Sequence, residues 1–311
     1  LAALPRVRVD GVGDRWVATT SVEFGPLGSL ATTVRSDPQT GLIADGVLTD
    51  LEVAPFLAYY RDTEDGRALE GLSELNARSL RLQGSLHAAL PNDAPLRLNA
   101  RLAAAGQDVR YTDIELRRAD FDGTVTHEGA AGLAKAEAPG LLAQFEGSAH
   151  WIDALTAAGQ VTASAPSSRG LPNWVRRMLP PEARFEKGAF EGWVSLGPDG
   201  PRATGLASAT LAEWDGETLD AVSAEVDAHS RHVSARVRSA KYLGAALTGG
   251  IEADLKAGTL SGGVRLDDVQ VERLAQRFGT TGWTGRVSAE AVLSGSIESP
   301  GAEVRVRGTV R

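Results

Sequence analysis

Few side chains in this 311-residue sequence are equipped for chemistry. There are five histidines and no cysteine, so a thiolate metal site, a disulfide framework and a cysteine nucleophile are excluded. The redox compartment stays open. His229 and His232 stand three apart, a spacing that invites a metal ion. They lie in a stretch of alternating polarity, where residues three apart face opposite sides of a strand, so a shared metal is not expected. His87 and His150 are solitary. Gly11, Val12 and Gly13 lack the strand-to-helix context in which a glycine loop cradles a dinucleotide. The acidic runs Ala-Asp-Phe-Asp-Gly (119–123) and Leu-Asp-Asp-Val (266–269) lack calcium-loop spacing and read as solvated turns. No serine sits in an elbow with histidine and carboxylate partners. The sequence therefore reads as a non-enzyme that needs no metal or cofactor.

Composition narrows the remaining options. With 42% hydrophobic residues the chain can form an extended apolar surface, yet aromatics are only 5%. Ala, Val, Leu and Gly must supply that surface, with 35 glycines and one methionine. A net charge of −8 argues against nucleic acid as a partner. No apolar run approaches the ~20 residues that span a bilayer. The opening LAALPRVRVDGVG has no signal-peptide layout and reads as the middle of something longer. The expectation is an internal piece whose targeting signal or anchor lies elsewhere.

The dominant pattern has period two. Trp16, Ala18, Thr20, Val22 and Phe24 alternate with polar neighbours, as do Leu260, Gly262, Val264 and Leu266. Such alternation marks antiparallel strands with one apolar and one wet face. Three stretches break it with helical spacing. They are Val53, Phe56, Leu57, Tyr60; then Leu171, Trp174, Val175, Met178, Leu179; then Val271, Leu274, Ala275, Phe278. Pro55 and Pro172 suit a first helical turn, and Asp268 suits a cap. After each helix comes an alternating strand, a proline turn and another such strand. The helices stand on the order of 100 residues apart, beyond the 20–50 of common solenoid repeats. Repeat units are expected at roughly 1–60, 61–180, 181–278 and a truncated 279–311, within one continuous β segment.

Three short helices cannot cover the apolar face of so many strands. A β-sandwich would bury that face under a second sheet. The strands here are long and their inward residues small, which suits instead an elongated, curled antiparallel sheet with an apolar interior left for a ligand. Inward glycines Gly84, Gly192, Gly262 and Gly295 suit curvature. The residues expected to line that groove are Leu80, Leu82, Leu86, Leu96, Leu98, Leu102, Phe190, Val194, Ile251, Leu255, Val264, Leu266, Val287, Leu293, Ile297, Val304 and Val306. The alternative role for each is ordinary core packing.

The stretch GRVSAEAVLSGSIESPGAEVRVRGTV, preceded by VRLDDVQVERLAQRF, resembles the repeats of the TamB and AsmA-like family. LPNWVRRMLPPEARFEKGAFEGWVSLGPDGPRATG has the same cadence. The likeness is clearest at 170–205 and 259–311, weaker at 46–104 and poor at 107–160. It implies an all-β taco-shaped groove, anchored in the inner membrane outside this chain and crossing the periplasm of a diderm bacterium. It implies phospholipid acyl chains as cargo. A role in outer-membrane protein assembly, with an Omp85-type partner met outside this chain, is also implied. The competing expectations are a scaffold or chaperone for outer-membrane strands such as those of autotransporters, and a structural β-solenoid with a self-filled interior.

Overall fold

The computed structural model describes residues 6–12, 15–39, 41–61, 74–92, 97–152, 154–177, 179, 182–214, 216–277, 279–297 and 300–310. Leu96, Met178 and Phe278, expected as apolar positions of a strand and two helices, lie outside the described residues. The chain is all-β and antiparallel, with three short helices among the described residues. It divides into two compact units, 1–139 with 144–157, and 140–143 with 158–311.

The first unit is a meander of β1 (Arg6–Val12), β2 (Arg15–Glu23), β3 (Ser29–Asp37), β4 (Gly41–Glu52), β5 (Leu75–Asn76), β6 (Ser79–Leu90), β7 (Arg97–Tyr111), β8 (Ile114–Thr126) and β9 (Gly129–Ala138). Each long strand pairs antiparallel with the next, and β4 pairs with β6 across the helix Ala54–Arg61. Strands β10 (Leu141–His150) and β11 (Thr156–Ser167) have their residues divided between the units.

The second unit runs through β12 (Arg184–Gly197), β13 (Gly200–Trp214), β14 (Glu217–His229), β15 (His232–Tyr242), β16 (Ala245–Asp254), β17 (Thr259–Gln270), β18 (Gly285–Ser296) and β19 (Pro300–Val310). Every neighbour is again antiparallel. In both units the sheet is open and curled, with alternate residues on an apolar and a polar face.

Strict alternation fails at β-bulges, and these decide where the helices start. Asp50 in β4 and Asp268 in β17 adopt left-handed backbone (φ 47° and 64°), a conformation Asp tolerates better than most residues. Each coincides with a register shift, Leu48 to Leu51 and Leu266 to Val269. The extra residue steps the inward phase by one, so Leu51 and Val269 point the same way as Leu48 and Leu266. A helix follows two or three residues later in each case, Ala54–Arg61 and Val271–Arg277. Asp268 is therefore a bulge residue bonded to Arg286, rather than the helix cap its sequence position suggests. The predicted helix at 171–179 is shorter, a single turn Asn173–Arg176, and Pro172 stands just before it instead of inside it.

Packed cores are small. Val269, 1% exposed, meets Ala245, Val271 and Val287, with Leu266 and Leu274 against them. This corrects the expectation for Val287 and Leu266. Val287 is buried and Leu266 half-buried against it, because the bulge brings the end of β17 under the helix. At the other bulge Glu52 fastens the helix to β6. Its carboxylate accepts hydrogen bonds from the backbone N–H groups of Leu80 (2.6 Å) and Ala54 (3.3 Å) and from the hydroxyl of Ser79.

Val269 is the one large side chain fully buried among the described residues. The chain exposes 20462 Å², whereas two compact bodies of half its mass would expose about 15,000 Å² together. A sandwich would bury alternate residues along most strands, and these strands do not.

Candidate ligand-binding face

Strand registers show which side chains share a face, because directly opposed residues point the same way. In the second unit, Phe190 pairs with Ala207, and Ala207 with Ala224. The row continues through Val237, Gly249, Val264, Ala291 and Val304. Every member is apolar or glycine. A parallel row carries Val226, Ala235, Ile251, Gly262 and Leu293. Val194 opens a third, opposite Ala203. Val306 faces Ala289, which faces Leu266. The opposite face carries Glu191, Glu225, Arg236 and Glu303 on the intervening row.

In the first unit, Leu82 pairs with Ala104 and Leu86 with Ala100, while Leu80 pairs with Gly106 and Leu98 with Ala88. Leu102 sits in a row that runs Val22, Leu30, Leu48, Gly84, Leu102, Gly123, Gly132. The registers thus bring the described groove residues of each unit onto one face, apart from two. Leu255 lies in the turn after β16 and Ile297 lies just past β18, and both are exposed. Ile251, Val304 and Val306 are also exposed, Val306 at 63%.

The row through Phe190 includes a hollow of 720 Å³ that lies wholly within the second unit. Phe185, Phe190, Leu219 and Val222 line it from β12 and β14, and Leu171, Val175 and Leu179 close one side around the single helical turn. Half of the rest is alanine, including Ala163, Ala165, Ala207, Ala209, Ala212 and Ala224. Sequence reasoning found Phe190 and missed these alanines, although the alternation of Ala203, Gly205, Ala207 and Ala209 along β13 carries part of the signal. Their small size is what leaves the hollow empty of protein, at a volume within the ~300–1,000 Å³ of small-molecule pockets.

One edge of the hollow is polar. Glu217 accepts hydrogen bonds from the Tyr242 hydroxyl (2.7 Å) and from Arg277 (2.8 Å). Arg277, then Tyr242, hold the Glu217 carboxyl below the usual carboxylate range. Burial and the neighbouring Glu217 carboxylate push the Tyr242 hydroxyl up. The three groups form a charged border to an apolar interior.

Phenylalanines cover paired glycines in both units. A Cβ built on Gly205 would lie 2.4 Å from the Glu191 carbonyl oxygen and 2.9 Å from Phe190 Cζ. Gly123 stands likewise under Phe121, with Cζ 2.8 Å from such a Cβ. The run 119–123 is thus inside β8, a strand with an aromatic ring over a glycine, rather than a solvated turn.

The histidine pair needs a correction. His229 and His232 are direct cross-strand partners across a two-residue turn, so they share a face, with ring centroids 5.3 Å apart and stacked. Alternation holds only along one strand, and the chain reverses between them. Among the described residues no cluster of three or more metal-ligating side chains exists. Among the same residues, no helix is long and apolar enough to cross a membrane.

No protein-family model, curated protein or solved structure matches this chain.

Proposed function

We propose that this chain holds the acyl chains of phospholipids along its apolar face and takes part in moving phospholipid between the membranes of a diderm cell envelope. One observation carries the reading. Rows of apolar side chains run across seven or eight strands, and protein does not cover them. A sixteen-carbon chain leaving a bilayer faces a cost on the order of 12 kcal/mol, at about 0.8 kcal/mol per buried CH₂. A continuous surface of Val, Leu, Phe and Ala offsets most of that cost and leaves the headgroup in water. The small, unspecific lining suits passage, since no polar group fixes the ligand in one place. The family resemblance of the sequence supports the periplasmic setting, the anchor outside this chain and an Omp85-type partner.

The test is native mass spectrometry of the purified chain with extraction and identification of bound lipid. Co-purified phospholipid, lost on filling the hollow with Ala224→Trp, is the expected result. A lipid-free protein that also fails to take up a fluorescent fatty acid would favour a structural β-solenoid and end the proposal.

A further inference from the structure

The polar face of the first unit carries a hollow of its own, of 770 Å³, lined by residues of six strands from β1 to β7. One row across it is Arg6, Ser21, Ala31, Val47, Ser85, Arg101. Arginines stand at both ends, and Arg8, His87 and Asn99 belong to the neighbouring polar row. Arg6 and Arg101 have no carboxylate partner among the described residues. Arg8 shares its charge with Asp10 at 2.8 Å. The carboxylate that lines the hollow, Asp45, is already engaged by Arg35 and by His87 (2.7 Å). Between the arginines the wall mixes the hydroxyls of Thr19, Ser21, Thr33 and Ser85 with the small apolar side chains of Ala31 and Val47. A protein of net charge −8 thus keeps a cationic furrow on one surface.

The geometry points to a binding site for an anion bearing two or more phosphate groups. Guanidinium groups bind phosphate oxygens in paired hydrogen bonds, and two cationic ends across an uncharged floor favour a ligand with separated charges over a single phosphate. The phosphates can belong to a soluble compound or to phospholipid headgroups at a surface. The arginine row is on the opposite face from the acyl-binding rows, so the site stands whether or not those rows bind lipid.

The experiment is titration calorimetry at low salt with sodium tripolyphosphate, beside co-sedimentation with phosphatidylcholine vesicles in which a third of the lipid is phosphatidylglycerol. Arg6→Gln and Arg101→Gln are each expected to weaken binding about tenfold, and the pair about a hundredfold. Ser85→Glu, which places a negative charge on the floor, is expected to abolish it. Arg117→Gln, on β8 outside the hollow, is expected to leave binding unchanged. Tripolyphosphate binding with this pattern assigns a soluble ligand. Vesicle binding alone, with the same pattern, assigns headgroups. Failure of the wild-type chain to bind either probe overturns the site, as does an Arg117→Gln loss equal to that of Arg101→Gln.

Discussion

Asp50 sits in a left-handed bulge of β4 and accepts a hydrogen bond from the guanidinium of Arg81 on β6 at 3.0 Å. Asp268 and Arg286 repeat the relationship between β17 and β18. In both places the strand before the helix is tied to the strand after it, and the sequence reads Leu-x-Asp-(Leu/Val)-x-Val into the helix. The backbone conformation matters more than the ion pair, since all four side chains are more than half exposed and such pairs contribute only about 0–1 kcal/mol. Arg286→Ala should therefore change stability by less than about 1 kcal/mol. Asp268→Val, forcing a β-branched residue into left-handed backbone, should cost about 1–3 kcal/mol, and Asp268→Gly should cost far less. Urea denaturation of the three variants checks this. Equal losses for Val and Gly would show that the bulge conformation is not the determinant.

Glu52 gives the fold a dependence on acid. Burial opposes its ionisation, but hydrogen bonds from Ser79 and the N–H groups of Leu80 and Ala54, with Arg81 nearby, outweigh this and lower its pKa. A carboxyl with a depressed folded pKa contributes stability that is present above its unfolded value, about 4.3, and lost as pH falls through the folded value. Glu52→Gln should be less stable than wild type by about 1–3 kcal/mol at neutral pH. That difference should shrink as the solution is acidified below the unfolded value. Thermal melts across the acid range would show a constant gap if the carboxylate were not responsible.

The contact between Phe190 and the glycines beneath it is intolerant of side chains. Gly205→Val has no room against the Glu191 carbonyl and should cost about 1–3 kcal/mol or more. Gly197→Ser, where a Cβ meets nothing and the backbone is not left-handed, serves as the comparison for loss of melting temperature.

Two valines of β18 and β19, similar in sequence, should part company. Val287 is 8% exposed in the small core and Val306 is 63% exposed. Val287→Asp should unfold the helix junction, losing more than about 3 kcal/mol through an unpaired buried charge. Val306→Asp should stay within roughly 1 kcal/mol of wild type. Similar losses in a denaturant series would contradict the division between packed and open parts of the apolar face.

Filling the hollow tests binding apart from stability. Ala224→Trp should displace a fluorescent fatty-acid probe while the chain keeps its circular dichroism spectrum. Leu206→Asp, on the opposite face beside Glu225, should leave probe binding unchanged. A probe lost equally from both variants would place its binding elsewhere.

The sequence by itself determined the class of fold, because period-two alternation has one physical meaning: a sheet with one apolar and one polar face. It located the three helices, and it placed Leu82, Phe190 and Leu293 on the apolar side of their strands. The shortage of large residues already indicated that the face would go uncovered. Tertiary structure decided the rest, since it depends on which strands meet. A single extra residue at Asp50 or Asp268 resets the phase, so Leu51 and Val269 turn inward against the simple pattern. Only the helix that follows makes Val287 core and sets Leu266 against it. The hairpin at Ser230 and Arg231 sets His229 beside His232, which spacing along one strand denies. The alanine hollow and the Arg6–Arg101 furrow are each assembled from strands far apart in sequence. Local patterns record the side on which a residue emerges, and only the registers of neighbouring strands fix what it stands beside.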